Sequence, residues 1–247
     1  MGELYWLRRP YAHRGLHDKA KGIVENSASA VRAAMGKGYA IEVDLRATAG
    51  NMPVVFHDAT LDRLTEEKGP VAAREAADLR TIPLRGSSDT ILSFAELLAI
   101  VGGRVPLLLE IKSTWTGDGR FEANIASALS SYPGPVAVMS FDPYSVAAFR
   151  QAAPALPRGL VAGQFDEERH WSHLTPKQRF AMHHLLTSAF ARPNFIAYDI
   201  GALPAVAPIA ARVLFGLPLL TWTVRSQDER ERAARYADAM IFEGIVP

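Results

Sequence analysis

The stretch Ala40-Ile41-Glu42-Val43-Asp44-Leu45-Arg46, running on through Gly50-Asn51 to Val54-Val55-Phe56-His57-Asp58, decides the fold. In its first half apolar residues alternate with carboxylates, so Glu42 and Asp44 share one face of a strand. Residues 54–58 repeat the strand signal after only a short Gly50-Asn51 link. A parallel crossover needs about a dozen residues or more, so the pair reads as an antiparallel hairpin. A turn centred near Ala49 and Gly50 sets positions 42 and 57 opposite each other, a glutamate facing a histidine.

Outward from this hairpin, β-rich runs recur at 11–15, 106–112, 136–141, 158–163, 195–200, 218–224 and 239–245. Helical patterns lie between them at 27–36, 93–101, 120–131, 143–153, 176–190, 204–215 and 226–236. Asn26, Ser93 and Ser226 stand where a side-chain oxygen caps a helix start. Strand then helix, repeated eight times with near-continuous apolar strands, predicts an α/β protein of the (β/α)₈ TIM-type barrel class. A doubly wound open sheet is the competing α/β architecture, but it rarely needs eight units. The hairpin follows strand 2. Residues 60–92, with Gly69-Pro70 and Gly86-Ser87-Ser88, read as a small insertion before strand 3. Residues 1–247 read as one domain. The final strand is followed by too few residues for a covering helix, so either Leu4, Tyr5, Trp6 and Leu7 or a second subunit in a homodimer is expected to cover it.

The chain has 247 residues, 49% apolar and 21% charged, which excludes wholesale disorder. It contains no cysteine, which removes thiol catalysis, disulfides and thiolate metal sites. Lys and Arg number 27 against 26 Asp and Glu, a net charge of +1 that leaves no footprint for nucleic acid or an anionic membrane. No apolar run is long enough to span a bilayer, and no secretory signal is legible. These features predict a soluble, cytoplasmic protein. Walker, Rossmann, GxSxG and HExxH patterns do not occur.

In a barrel of this kind functional side chains collect at the C-terminal ends of strands. Those ends carry His13-Arg14-Gly15, Glu42-Val43-Asp44, His57-Asp58 and Glu110-Ile111-Lys112. Three carboxylates brought together without a cation repel and are costly to desolvate. An all-oxygen set resolves that cost with Mg²⁺ or Ca²⁺ rather than zinc. Arg14 and Lys112 beside it suit an anionic substrate, most naturally a phosphate. Two histidines near such a site can act as general acid and base. A lone ExD or HRG is usually structural; four charged segments converging on strand ends are the signal. Asn26 reads as a helix cap, Glu25 as a residue near the rim, His17 as solvated, and His183 and His184 as ordinary helix residues.

The order and spacing of Ala12-His13-Arg14-Gly15, Glu25-Asn26, Glu42-Val43-Asp44-Leu45, Val54-Val55-Phe56-His57-Asp58, Leu61-Asp62-Arg63 and Thr65 resemble the glycerophosphodiester phosphodiesterase family. Leu109-Glu110-Ile111-Lys112 and Thr221-Trp222-Thr223-Val224 are similar to its later strands, and Phe242-Glu243-Gly244-Ile245 with Pro247 to a variant of its closing segment. The resemblance implies hydrolysis of glycerophosphodiesters to sn-glycerol 3-phosphate and an alcohol. It implies a divalent cation, Mg²⁺ favoured over Ca²⁺, on Glu42, Asp44 and Glu110. It implies His13 and His57 as acid and base, Arg14 and Lys112 on the phosphate, and Trp222 against the glycerol carbons. It further implies that the substrate's own glycerol hydroxyl is the nucleophile, through a cyclic phosphate. Two other readings are weighed beside it. A phospholipase-type enzyme for lysophospholipid or phosphatidylinositol head groups would need an apolar rim, for which the 60–92 excursion offers Leu61, Leu64, Leu79, Ile82 and Leu84. A non-catalytic barrel for a phosphorylated ligand would have lost a histidine or a ligand carboxylate, and all are present.

Overall fold

The computed structural model describes residues 4–115, 117–167 and 171–247. Its strands are β1 (Tyr11–Ala12), β2 (Ala40–Ala47), β3 (Pro53–Val55), β4 (Leu92–Ser93), β5 (Leu107–Lys112), β6 (Val136–Ser140), β7 (Arg158–Ala162), β8 (Phe195–Asp199), β9 (Leu219–Val224) and β10 (Ala239–Phe242). β1, β2 and β5 to β10 pair in parallel in that order, and β10 returns to pair with β1. The result is a closed (β/α)₈ barrel. β3 and β4 extend antiparallel from β2, forming the hairpin and the start of the excursion.

The outer helices are α1 (Ala28–Gly36), α2 (Phe94–Val101), α3 (Arg120–Leu129), α4 (Pro143–Ala152), α5 (Pro176–His183), α6 (Val206–Phe215) and α7 (Gln227–Tyr236). Their starts are written in the sequence. Ser93 with Glu96, Thr175 with Gln178 and Ser226 with Glu229 form reciprocal capping boxes. In α2, Phe94, Leu97 and Val101 fall on one buried stripe. The predicted 176–190 helix stops early: Leu185 takes a left-handed φ of 57°, and a short separate turn follows at Ser188–Ala191.

Strand alternation sorts the side chains into two layers. On β2, Ile41, Val43 and Leu45 face the helices and join Val31, Ala34, Leu97 and Val101 in the main core. Ala40, Leu108, Ala137, Met139, Val161, Phe195, Ala197, Leu220 and Ile241 fill the barrel interior instead. Gly159 leaves room for the Phe195 ring, which a Cβ there would meet at 2.2 Å. Interior positions are apolar at the N-terminal ends of the strands and turn charged toward the C-terminal ends. On β2 the inward series runs Ala40, Glu42, Asp44, and on β5 it runs Leu108, Glu110, Lys112. The packed floor thus sets the depth at which the charged site begins.

Two expectations change. The N-terminal segment does not cover the outside of the last strand. A 3₁₀ turn at Tyr5–Arg8 buries Leu7 completely in the barrel-interior cluster, with Leu4 and Trp6 packed on the same cluster. The interior is the larger dry surface at that end, and the outer face of β10 is met by the Tyr39 ring, whose centroid is 5.1 Å from that of Phe242. The hairpin register is also one residue off. Leu45 pairs with Val55 and Ala47 with Pro53, so positions 42 and 57 are not cross-strand partners. The cause is the loop. The Thr48 N–H donates to the Met52 carbonyl, and Asn51 takes a φ of 56°, giving three loop residues with a left-handed third.

The 60–92 excursion has a core of its own. Leu61, Val71, Leu79, Ile82, Leu84 and Ile91 are buried with Val54 and Phe56. The apolar rim offered for an acyl chain is therefore spent on internal packing, with only Leu64 left partly buried. Among the described residues no helix is long and apolar enough to cross a membrane.

Candidate active site

The site grows from the turn after β1. Gly15 has a φ of 77°, and a Cβ on it would lie 2.8 Å from atoms of Ala30. Only glycine permits that turn against α1. The turn presents His13 inward and aims the Arg14 N–H at Glu42 Oε2, 3.0 Å away. β2 and β5 run side by side with Asp44 opposite Glu110. One carboxylate oxygen from each of Glu42, Asp44 and Glu110 then lies within 4.8 Å of the others.

Glu42 and Asp44 are each 1% exposed. Burial, then the neighbouring Asp44 and Glu110 charges, push the Glu42 carboxyl well above its ordinary range. Burial also acts on Asp44, but Lys112, His57, Arg14 and His13 outweigh it and keep that carboxylate ionised. Lys112 Nζ lies 3.0 Å from Asp44 Oδ1 and donates to Glu110 Oε1. Glu42 Oε1 is buried with no hydrogen-bond partner. A compact all-oxygen set with an orphaned carboxylate oxygen fits a hard divalent cation.

The two histidines flank this set, each with Nδ1 tied to a carboxylate. His13 Nδ1 is 2.9 Å from Glu243 Oε2, and His57 Nδ1 is 2.7 Å from Asp58 Oδ1. Such a partner accepts a hydrogen bond from Nδ1–H, which keeps the proton there and leaves Nε2 for chemistry. Burial lowers the His13 pKa, against the raising effect of the Glu243 bond. The bond from His13 brings Glu243 down to about 2, burial opposing it and Arg225 assisting. Asp58 is pushed up by burial, but bonds from His57 and Arg63 hold it below the ordinary carboxylate range. Arg46 donates from Nε and Nη2 to the His57 carbonyl, fixing the start of the loop.

Several of these contacts lie outside the sequence reading. Asn26 does not cap α1; Ser27 does, accepting from the Ala30 N–H. Asn26, with a φ of 58°, instead donates from Nδ2 to Asp44 Oδ2 and accepts the Asp44 N–H. Glu25 joins Arg14 to Arg63, and Arg63 also binds Asp58, so one ion network links the two halves of the site. His17 is half-buried with Nε2 3.8 Å from Glu243 Oε1, rather than solvated. Glu243 is held by Arg225 at 2.8 Å. The Glu25-Asn26 and Asp62-Arg63 pairs were visible as motifs, but their partners are distant in sequence.

His13, Arg14, His57, Glu110, Lys112 and Trp222 all line one cleft of about 1000 Å³ at the C-terminal end of the barrel, with Glu42 and Asp44 beneath it. Trp222 stands across from the carboxylates, its ring edge-to-face with Phe141 at 5.4 Å and its Nε1–H without an acceptor. His183 lies outside this cleft. It bonds the Gly163 carbonyl through Nδ1 and contacts the Tyr198 hydroxyl, a structural role.

The model of the glycerophosphoryl diester phosphodiesterase family matches residues 13–246, nearly the whole chain. The chain belongs to the glycerophosphoryl diester phosphodiesterase family. It is therefore a phosphoric diester hydrolase by family, as its motifs predicted. A relative named glycerophosphodiester phosphodiesterase, from Caldanaerobacter subterraneus subsp. tengcongensis, is 27% identical over 240 residues, 90% of this chain and 87% of that protein. Among solved structures, an Oleispira antarctica phosphodiesterase in complex with the product sn-glycerol-3-phosphate has a TM-score of 0.76 at 17% identity, covering 96% of this chain and 94% of its own. A Silicibacter pomeroyi structure described as a putative glycerophosphoryl diester phosphodiesterase has a TM-score of 0.75 at 22% identity, covering 95% and 89%. Similarity to solved structures at these identities carries the fold alone.

Proposed function

We propose that the chain hydrolyses glycerophosphodiesters to sn-glycerol 3-phosphate and an alcohol, with a divalent cation, Mg²⁺ before Ca²⁺, held by Glu42, Asp44 and Glu110. The observation that carries this reading is the orphaned Glu42 Oε1 inside a buried carboxylate triad set between two carboxylate-oriented histidines. The Oleispira antarctica relative with bound sn-glycerol-3-phosphate supports the product assignment. A cation on the triad supplies charge withdrawal from a phosphate oxygen.

The chain's own residues do the rest. Arg14 and Lys112 bind the remaining phosphate oxygens by charge-assisted hydrogen bonds. His13, kept neutral by burial, accepts the proton of the attacking hydroxyl at Nε2. His57, the more open of the two and held by Asp58, gives a proton to the departing alcohol oxygen, and water then opens the cyclic glycerol phosphate to sn-glycerol 3-phosphate. Trp222 packs on the glycerol carbons. Residues 1–247 work as one catalytic unit in which the 60–92 excursion contributes Arg63 to the ion network.

Phosphorus NMR of glycerophosphoethanolamine, whose two possible monoester products differ, incubated with the protein and Mg²⁺ tests the reading. The diester resonance should convert to that of sn-glycerol 3-phosphate. A persistent diester signal, or release of the other phosphate ester, contradicts it.

A further inference from the structure

The cleft is polarised. Its cationic side chains gather over β1, β2 and β5, and the facing half is built differently. There the ring centroids of Trp222 and Phe141 lie 5.4 Å apart, those of Phe141 and Trp171 5.0 Å, those of Trp171 and His173 6.1 Å, and those of His173 and Trp115 4.8 Å. Trp222 lies within β9 and sits deep, whereas Trp115 and His173, on loops, and Trp171, at a helical position, lie beyond the strand ends. The aromatic tier therefore runs from the inside of the barrel to its rim. Trp115 and Trp171 are only partly buried, and both line the open space.

Carboxylates accompany the rings. Asp166, Glu167, Asp199 and Glu229 line the same half. Asp199 is pushed up by burial first, with Asp166, Glu229 and Glu167 adding to the rise. The neighbouring Arg225 does not neutralise this half, since its guanidinium is engaged with Glu243. Gly163 completes the arrangement. A Cβ there would meet Asp199 Cβ at 3.1 Å and both Asp199 Oδ2 and Trp222 at 3.7 Å, so the glycine keeps a notch open between carboxylate and indole.

Aromatic faces with nearby carboxylates attract a cation, and a quaternary ammonium above all, because it sheds little water on leaving solution. A cleft that offers Arg14 and Lys112 to a phosphate at one end and aromatic faces with carboxylates at the other complements a zwitterion. We infer that the aromatic and carboxylate half of the cleft selects diesters whose leaving alcohol is cationic, choline-type before ethanolamine-type. This inference rests on the phosphodiesterase reading above and adds the class of alcohol to it. Glycerol occupies the deep end at Trp222, and the cationic arm reaches the rim at Trp171, Trp115 and His173.

The test compares kcat/KM for glycerophosphocholine with that for glycerophosphoglycerol, whose leaving alcohol is neutral. The expected preference for the choline diester is on the order of tenfold. Trp171→Leu and Asp166→Asn should each shrink the ratio toward one, chiefly through KM for the choline diester. Choline and its neutral isostere 3,3-dimethyl-1-butanol, used as inhibitors of the unaltered protein, isolate the charge without any variant. Choline should inhibit several-fold better. Equal kcat/KM for the two diesters, or equal inhibition by the two alcohols, overturns the cationic assignment while leaving the phosphodiesterase reading intact. Hydrolysis of neither diester overturns both.

Discussion

Glu243 Oε2 lies 2.9 Å from His13 Nδ1, joining the last strand of the barrel to the first across 230 positions of sequence. The bond closes the ring of the active site as β10–β1 pairing closes the ring of the barrel. Glu243 fixes the tautomer of His13 and supports its charged form, while burial opposes that form.

Glu243→Gln is expected to lower kcat by at least roughly tenfold while leaving the fold intact. Its pH profile carries the sign. Wild-type His13 must be neutral to act as a base, so the rate rises with pH through its lowered pKa, below the ordinary 6.5. Removing the Glu243 charge takes away support for the imidazolium and moves that acidic limb to still lower pH. A variant with the wild-type rate and limb would detach Glu243 from the mechanism.

His13→Ala and His57→Ala should each reduce kcat by roughly 10²–10⁴, the range for a positioned acid or base. Steady-state kinetics alongside circular dichroism separates lost chemistry from lost structure. Near-native turnover by either variant removes that histidine from the scheme.

The raised pKa of Glu42 makes a prediction about the metal-free protein. An acid whose folded pKa lies above its unfolded value favours folding when protonated. Stability from this group is therefore full below the ordinary value of 4.5 and is lost as pH rises toward the folded pKa. Glu42→Gln removes the titration. In EDTA at pH 8 the variant should melt above the wild type, and the gap should narrow as pH falls toward 4.5. A variant that melts lower at pH 8 would mean that Glu42 is not held against its charge.

Leu7 is fully buried in the barrel floor beneath the site. Leu7→Ala should cost about 2–5 kcal/mol in urea denaturation, the range for emptying a packed aliphatic position. A loss under about 0.5 kcal/mol would show that Leu7 does not plug the floor in solution.

The barrel and the carboxylate triad were legible because they rest on short-range periodicity. Residues two apart on a strand share a face, so Glu42 with Asp44 and Glu110 with Lys112 could be read directly. The misreadings have equally local causes. Asn26 and Ser27 are adjacent candidates for one cap; Ser27 takes it, and Asn26 turns left-handed to hold Asp44. The hairpin register slipped by one because a three-residue loop with Asn51 left-handed looks, in sequence, like a two-residue link. In sequence Leu4 to Leu7 reads as a cover for the last strand, yet an apolar segment at that edge has the barrel interior within reach. Glu243 and Arg225 carry no local signal for their roles, since the bond from His13 that Glu243 answers lies 230 positions away and Arg225 reaches Glu243 from the neighbouring strand end.

A magnesium titration of EDTA-stripped protein, following both hydrolysis of a glycerophosphodiester and the heat of binding, tests the central claim most directly. The account predicts no turnover without metal, full recovery at a cation concentration that also saturates the heat signal, and a rightward shift of both curves in Asp44→Asn. Undiminished hydrolysis in EDTA, or identical titrations for wild type and variant, would contradict it.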